Sequence, residues 1–376
     1  MASKNRALFI DMLKGLALIV MIEVHVVNSM LMPALRESWW FPSLNFLNGL
    51  VAPSFSFASG MVFVLSLQKG VDQLRNFGKE FWRKLSRIGL IFFVGYSLHL
   101  PYYSLNKILN NQTQYNLESL FTVDILQIIS TGLIVLLFAR IFIKSEKRFY
   151  NFILILTAVI LILSPLMWKI DFANYLPLFF SNYFNRMHGS LFPVFPWWAF
   201  VFSGAYTAKY YLEARQNNSE KTFARKMIIT GSLFYLISFF VMYVFFTQAL
   251  AKMFPNPFFF LERFGLILLF LGIFWFYLNK KDNYTSLILD VSRESLLIYW
   301  VHLQLIYREI FWGKSLINMS QNNYNLLQCL IVSLILIVLM LILAKVWNNL
   351  KSKYPVYSRW LTAAVLIIGT LIFIIR

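Results

Sequence analysis

The stretch "RALFIDMLKGLALIVMIEVHVVN", residues 6–28, decides what kind of molecule this is. As a helix it is long enough to cross about 30 Å of hydrocarbon, yet Asp11, Lys14, Glu23 and His25 interrupt it. The remainder of the chain repeats the apolar part of that pattern. Of 376 residues, 59% are hydrophobic, 18% aromatic and only 13% charged, about half the charged share of a soluble domain. A water-soluble domain has no surface on which to place so much Phe, Leu and Ile, and a disordered chain is far less apolar. The reading is an all-α, polytopic integral membrane helix bundle. Lys4 and Arg6 ahead of the first run imitate a signal peptide. However, the run is longer than a signal core, carries charges inside and lacks a small-x-small cleavage site, so it is expected to be a retained first helix.

Runs of spanning length lie near 8–31, 44–68, 86–104, 120–142, 149–168, 191–211, 227–248, 259–278, 287–311, 325–347 and 360–375. That predicts about 11 transmembrane helices. The runs are continuous, whereas a membrane barrel shows short alternating segments. Basic residues gather in every second loop: Lys69 to Arg87, Arg140 to Arg148, Lys209 to Lys226, Lys280 with Lys281, and Lys345 to Arg359. By the positive-inside rule the N-terminus is expected to be cytoplasmic and the C-terminus outside. The net charge of +18 is then chiefly a topology signal. Membrane lipids are the default partner of these loops, and nucleic acid is not expected. With neither a repeat nor a soluble segment, residues 1–376 read as a single transmembrane domain. Cys329 is the only cysteine, so internal disulfides and thiolate clusters are excluded. Four dispersed histidines give no zinc spacing, and no metal is expected.

Ionisable groups at membrane depth are costly and point to function. With that topology His25, His99, His188 and His302 all fall toward the outer side, as do Glu23, Asp124, Glu262 and Arg263. Asp11, Lys14, Arg293 and Glu294 fall near the inner surface. Some have plain alternatives: Lys14 can snorkel to the surface, Arg293 and Glu294 can mark a helix start, and His99 and Asp124 can be satisfied packing groups. His188 reads as a loop histidine. Lys14 and His25 are eleven residues apart, three helical turns plus about 20°, so they share one face about 16 Å apart along the axis. Asp11 and Asn28 lie close to that stripe, and Glu23 lies on the opposite side. Imidazole suits proton transfer near neutral pH, and an inner cation suits phosphate. A molecule with phosphates at one end and a reactive group at the other, such as acyl-coenzyme A, has the shape of the stripe.

Those residues resemble the opening of the transmembrane acyltransferase superfamily. It includes acyltransferase family 3, with its basic residue, ten intervening residues and histidine, matched by Lys14 and His25. The heparan-α-glucosaminide N-acetyltransferase-like branch, with its "IDxxRG" start, is closer still, although Lys14 stands where arginine is usual. Three further stretches are similar to that superfamily: "LNGLVAPSFSFASGMVF" (47–63), "LFPVFPWWAFVFSGAY" (191–206) and "SRESLLIYWVHLQLI" (292–306).

The resemblance implies an acetyl-CoA-dependent O- or N-acetyltransferase of the cell envelope, multi-pass in a bacterial inner membrane. The acyl group would pass from cytosolic acyl-CoA, as donor substrate, to a hydroxyl or amine of an extracytoplasmic glycan or glycolipid. It makes His25 the catalytic histidine, either as general base or as an acyl-accepting nucleophile. It places Arg6, Asp11 and Lys14 around the donor, with Ser59 and Gly60 allowing close helix approach beside it. His302 shares a face with Ser295 and Tyr299 and can assist His25 or make a structural hydrogen bond. Pro196, Trp197 and Gly204 are read as shaping the chain. The rival class is a proton-coupled secondary transporter working through Glu23 and the histidines, against which the missing repeat argues.

Overall fold

The computed structural model describes residues 7–68, 70–246, 248, 253–281 and 284–375. The chain is all-α: among the described residues there are only two isolated β-bridges and no strand. The principal helices are α1 (Leu8–Met30), α2 (Phe41–Asn48), α3 (Val51–Ser66), α4 (Lys79–Leu98), α5 (Ile125–Phe142), α6 (Glu146–Met167) and α7 (Val194–Gln216). They continue with α8 (Glu220–Phe240), α9 (Pro257–Asn279), α10 (Leu287–Arg293), α11 (Ser295–Tyr307), α12 (Leu326–Lys353) and α13 (Pro355–Ile375).

Among the described residues seven helical runs are long and apolar enough to cross a membrane: Phe41–Ser66, Ile125–Phe142, Glu146–Met167, Glu220–Phe245, Pro257–Asn279, Leu326–Lys353 and Pro355–Ile375. Helices also occupy the other four expected stretches, each with a local departure. α1 carries its three charged residues, and α4 opens with the basic turn Lys79 to Arg87. α7 is bent where Phe195 leaves helical geometry ahead of Pro196, and the indole of Trp168 donates to the Phe195 carbonyl at 2.7 Å. The run expected at 287–311 is two helices, parted at Glu294.

The chain divides into two compact units: residues 1–51, 100–116 and 283–376 form the first, and 52–99 with 117–282 the second. In the first, α1 packs on α10, α11 and α12. Its core holds Leu18, Ile22, Val26, Ile298 and Tyr299, each nearly or wholly buried. In the second, α4 packs on α5, α6 on α7, and α8 on α9. There α3 lies against α7 at backbone contact distance. A Cβ on Gly60 would run into the Val201 carbonyl, and one on Gly204 into the Phe57 carbonyl. Without a side chain at those two positions, the helix backbones touch directly.

Candidate active site

The first unit fixes α1 at both ends. Near its start, the buried Asp11 carboxylate accepts a hydrogen bond from the Ser292 hydroxyl of α10 at 3.2 Å. One turn on, Gly15 lies against α10 so closely that a Cβ would collide with the Ile288 carbonyl. Lys14, between them, is half-buried. At the other end the Met32 amide donates to the Tyr324 carbonyl at 2.9 Å, and the Tyr324 amide donates to Met30 at 3.0 Å. The Arg36 guanidinium donates to the Asn28 carbonyl at 2.8 Å.

The break at Glu294 is held by α12. Asn348 donates to Asp290 at 2.8 Å, and the Lys351 ammonium meets the Glu294 carboxylate at 2.8 and 3.1 Å. Arg293 and Lys345 also face Asp290, at 3.4 and 3.7 Å. Arg293 and Glu294 are therefore anchors of a helix junction, and three cations beside α10 are engaged by Asp290 and Glu294.

Three turns beyond Lys14, the sequence-expected histidines meet. The His25 and His302 rings lie 5.4 Å apart between centroids, inclined at 52°. His302 has no exposed surface. Its Nδ1 is 2.7 Å from the Ile298 carbonyl, which can only accept, so the proton sits on Nδ1 and the Nε2 lone pair remains. That buried Nε2 has no hydrogen-bond partner among the described residues. A neutral imidazole with an uncommitted basic nitrogen is the arrangement a proton acceptor requires. His25 in turn places its Nδ1 at 3.1 Å from the Tyr307 hydroxyl, with the two rings edge to face. Tyr299 stacks edge-on against His302 at 5.7 Å. Close by on α11, Gln304 accepts from the Tyr103 hydroxyl at 2.7 Å, while Arg308 donates to the Leu100 carbonyl at 2.7 Å and lies over the Tyr103 ring.

The other expected residues separate clearly. Arg6 lies outside the described residues. Asp11, Lys14, His25 and His302 fall in the first unit, and Ser59 and Gly60 in the second. Gly60 serves a close helix approach, between α3 and α7, and the Ser59 hydroxyl turns back to its own helix at the Phe55 carbonyl, 2.8 Å away. Glu23 has the Asn48 carboxamide within hydrogen-bonding reach, yet its Oε1 and the Asn48 Oδ1 both lack partners among the described residues. His99 meets Asp124 at 3.3 Å, and Asp124 caps α5. His188 meets Asp171 at 2.8 Å, and that hydrogen bond holds the Asp171 carboxyl below its ordinary range. Arg186 bonds the Ser190 carbonyl and lies over Trp168. Trp197 packs among Phe192, Phe200 and Phe259. Ser292 and Tyr307 were not singled out from sequence. Their signal lay in the same late segment: Ser292 opens it, and Tyr307 follows it by one residue.

The family model for the catalytic domain of heparan-alpha-glucosaminide N-acetyltransferase matches residues 6–240. The chain belongs to this family. A search of curated proteins finds no match. The matched residues contain Asp11, Lys14 and His25, while His302 and Tyr307 lie beyond them. Membership of the heparan-alpha-glucosaminide N-acetyltransferase family, together with the long apolar helices, makes the chain an integral membrane acetyltransferase.

Proposed function

We propose that this acetyltransferase takes an acetyl group from cytosolic acetyl-CoA and delivers it to a hydroxyl or amine of an extracytoplasmic glycan or glycolipid. The setting is a bacterial inner membrane, with about eleven spans, the N-terminus in the cytoplasm and residues 1–376 working as one domain. The observation that carries this reading is the His25–His302 pair, in which a buried His302 nitrogen without a hydrogen-bond partner among the described residues lies beside His25. Lys14, on the same face of α1 as His25, is the phosphate-binding candidate, and Asp11 seats that end of α1 on α10 through Ser292.

Two routes fit the pair. In direct transfer, the acceptor N–H or O–H gives its proton to an imidazole while its heteroatom attacks the thioester carbonyl. The C–S bond then breaks, and coenzyme A leaves as a thiol once protonated. In the covalent route an imidazole nitrogen attacks first, releases coenzyme A, and passes the acetyl group to the acceptor in a second step.

The test uses purified protein in liposomes, with labelled acetyl-CoA on the side of the basic loops and an amino sugar opposite. Label appearing on the sugar, and lost with His25→Ala, supports the reading. Donor-independent sugar flux without acetylation would place the chain among transporters instead.

A further inference from the structure

The second unit contains a cavity of about 740 Å³ that the His25 cluster does not use. It exists because four helices pair too well in twos. α6 packs along α7, and α8 packs along α9. The second pair is especially close: a Cβ on Gly231 would come within 2.5 Å of the Gly265 carbonyl oxygen, and one on Gly272 within 2.6 Å of the Ala224 carbonyl oxygen. Small residues bring those two backbones together, and the seam between the two pairs remains open.

The seam is graded along its length. Along α7 and its C-cap its wall runs from Ser203 to Asn217, about 21 Å at 1.5 Å per residue, somewhat more than half of a hydrocarbon core of about 30 Å. At one end lie Glu213, Asn217, Ser219, Thr222 and Lys226; at the other lie Leu161, Phe234, Phe260, Phe264 and Leu268. Three hydroxyls deeper in the wall offer little to a polar ligand. Thr157 donates to the Ile153 carbonyl at 2.8 Å, Ser203 to Phe200 at 3.0 Å and Thr207 to Ser203 at 2.8 Å. The Tyr210 hydroxyl on the same wall donates to that of Tyr206 at 3.2 Å, so a polar molecule entering there would recover few of the hydrogen bonds it made to water, whereas a hydrocarbon chain would gain by leaving it.

The polar end is also charged. Residues 209–226 contain Lys209, Arg215, Lys221, Arg225 and Lys226 against Glu213 and Glu220. Glu213 faces Lys209 at 3.8 Å, and Lys226 is exposed on the cavity wall. We propose that this seam binds an anionic glycerophospholipid, one acyl chain lying between the two helix pairs and its phosphate meeting Lys226. The proposal does not rest on the transfer reaction, and it fails or stands separately from it.

The experiment is native mass spectrometry of the purified full-length chain with added palmitoyl-oleoyl phosphatidylglycerol. One lipid per chain should survive activation that strips the rest. Lys226→Glu should reduce that occupancy about tenfold. Ala158→Phe, at an exposed position on the seam wall, should abolish it by filling the chain's path. Thermal unfolding of both variants should match the parent. Retention equal to the parent in both variants would overturn the site. Displacement of the lipid by an equimolar polyprenyl phosphate or by coenzyme A would overturn its assignment to a glycerophospholipid.

Discussion

The Nδ1 atom of His25 and the hydroxyl of Tyr307 stand 3.1 Å apart, joining helices separated by 282 positions in the chain. One ring nitrogen of His25 is thereby occupied, which orients the imidazole. In the proposed reaction His25→Ala should lower kcat by at least about 10²-fold, the contribution typical of a positioned acid or base. Tyr307→Phe removes one hydrogen bond, worth roughly 0.5–1.5 kcal/mol, and should cost about tenfold or less in kcat with an unchanged KM for donor. Steady-state kinetics on both variants checks the order of the two effects, and a larger loss in Tyr307→Phe would contradict it.

His302 calls for a variant that separates packing from proton transfer. In His302→Asn the side-chain amide can still donate to the Ile298 carbonyl, as Nδ1 does at 2.7 Å, while the basic Nε2 is gone. We expect a folded protein whose kcat falls by about 10²-fold or more. Parent-like turnover would reduce His302 to a structural hydrogen bond.

In the proposed reaction Lys14 meets the phosphates of the donor, so its loss should appear in binding. Lys14→Ala should raise the KM for acetyl-CoA about 10-fold or more, as expected for removing a charge-assisted hydrogen bond, with a smaller change in kcat. Lys14→Arg should restore much of the affinity, since arginine also binds phosphate. Kinetics at varied acetyl-CoA checks this, and an unchanged KM in the alanine variant would remove Lys14 from the phosphate site.

Gly15 tests the scaffold separately from the chemistry. A Cβ there would collide with the Ile288 carbonyl, and backbone has no rotamer with which to yield. Gly15→Ala should therefore destabilise the protein by about 1–3 kcal/mol, the usual cost of overpacking, despite the higher helix propensity of alanine. Thermal unfolding in detergent measures it, and an unchanged or raised midpoint would contradict the close packing of α1 on α10.

The stripe Asp11, Lys14, His25 could be read from sequence because one helix fixes the angular positions of all three. The face shared by Ser295, Tyr299 and His302 was readable for the same reason, and all three are buried. What pairs these stripes was not local. The Ser292–Asp11 bond and the Tyr307–His25 bond each join residues some 280 positions apart, and no periodicity within a helix encodes them. The break at Glu294 was also hidden, because hydropathy averages across a junction held by Lys351 and Asn348 of α12. Conversely, His99 and Asp124 looked costly by depth alone. Their mutual contact and the capping role of Asp124 are the local pairing that sequence allowed as an alternative.

Glu23 remains the ionisable group of α1 outside the stripe, and its surroundings make a distinct prediction. Its Oε1 and the Asn48 Oδ1 are both buried acceptors without donors among the described residues. A carboxylate held this way carries a desolvation cost that an amide avoids. In Glu23→Gln the new NH₂ can donate to the Asn48 Oδ1 while its carbonyl still accepts from the Asn48 amide, satisfying both groups. The variant should therefore unfold at the same temperature as the parent or higher, with acetyl transfer retained. A proton-coupled transporter would behave oppositely, because removing the titratable group would uncouple flux from the proton gradient. Measuring both thermal unfolding and acetyl transfer on Glu23→Gln distinguishes these cases: a stable but inactive variant would place Glu23 in a proton path and require His25 to share the chemistry with it.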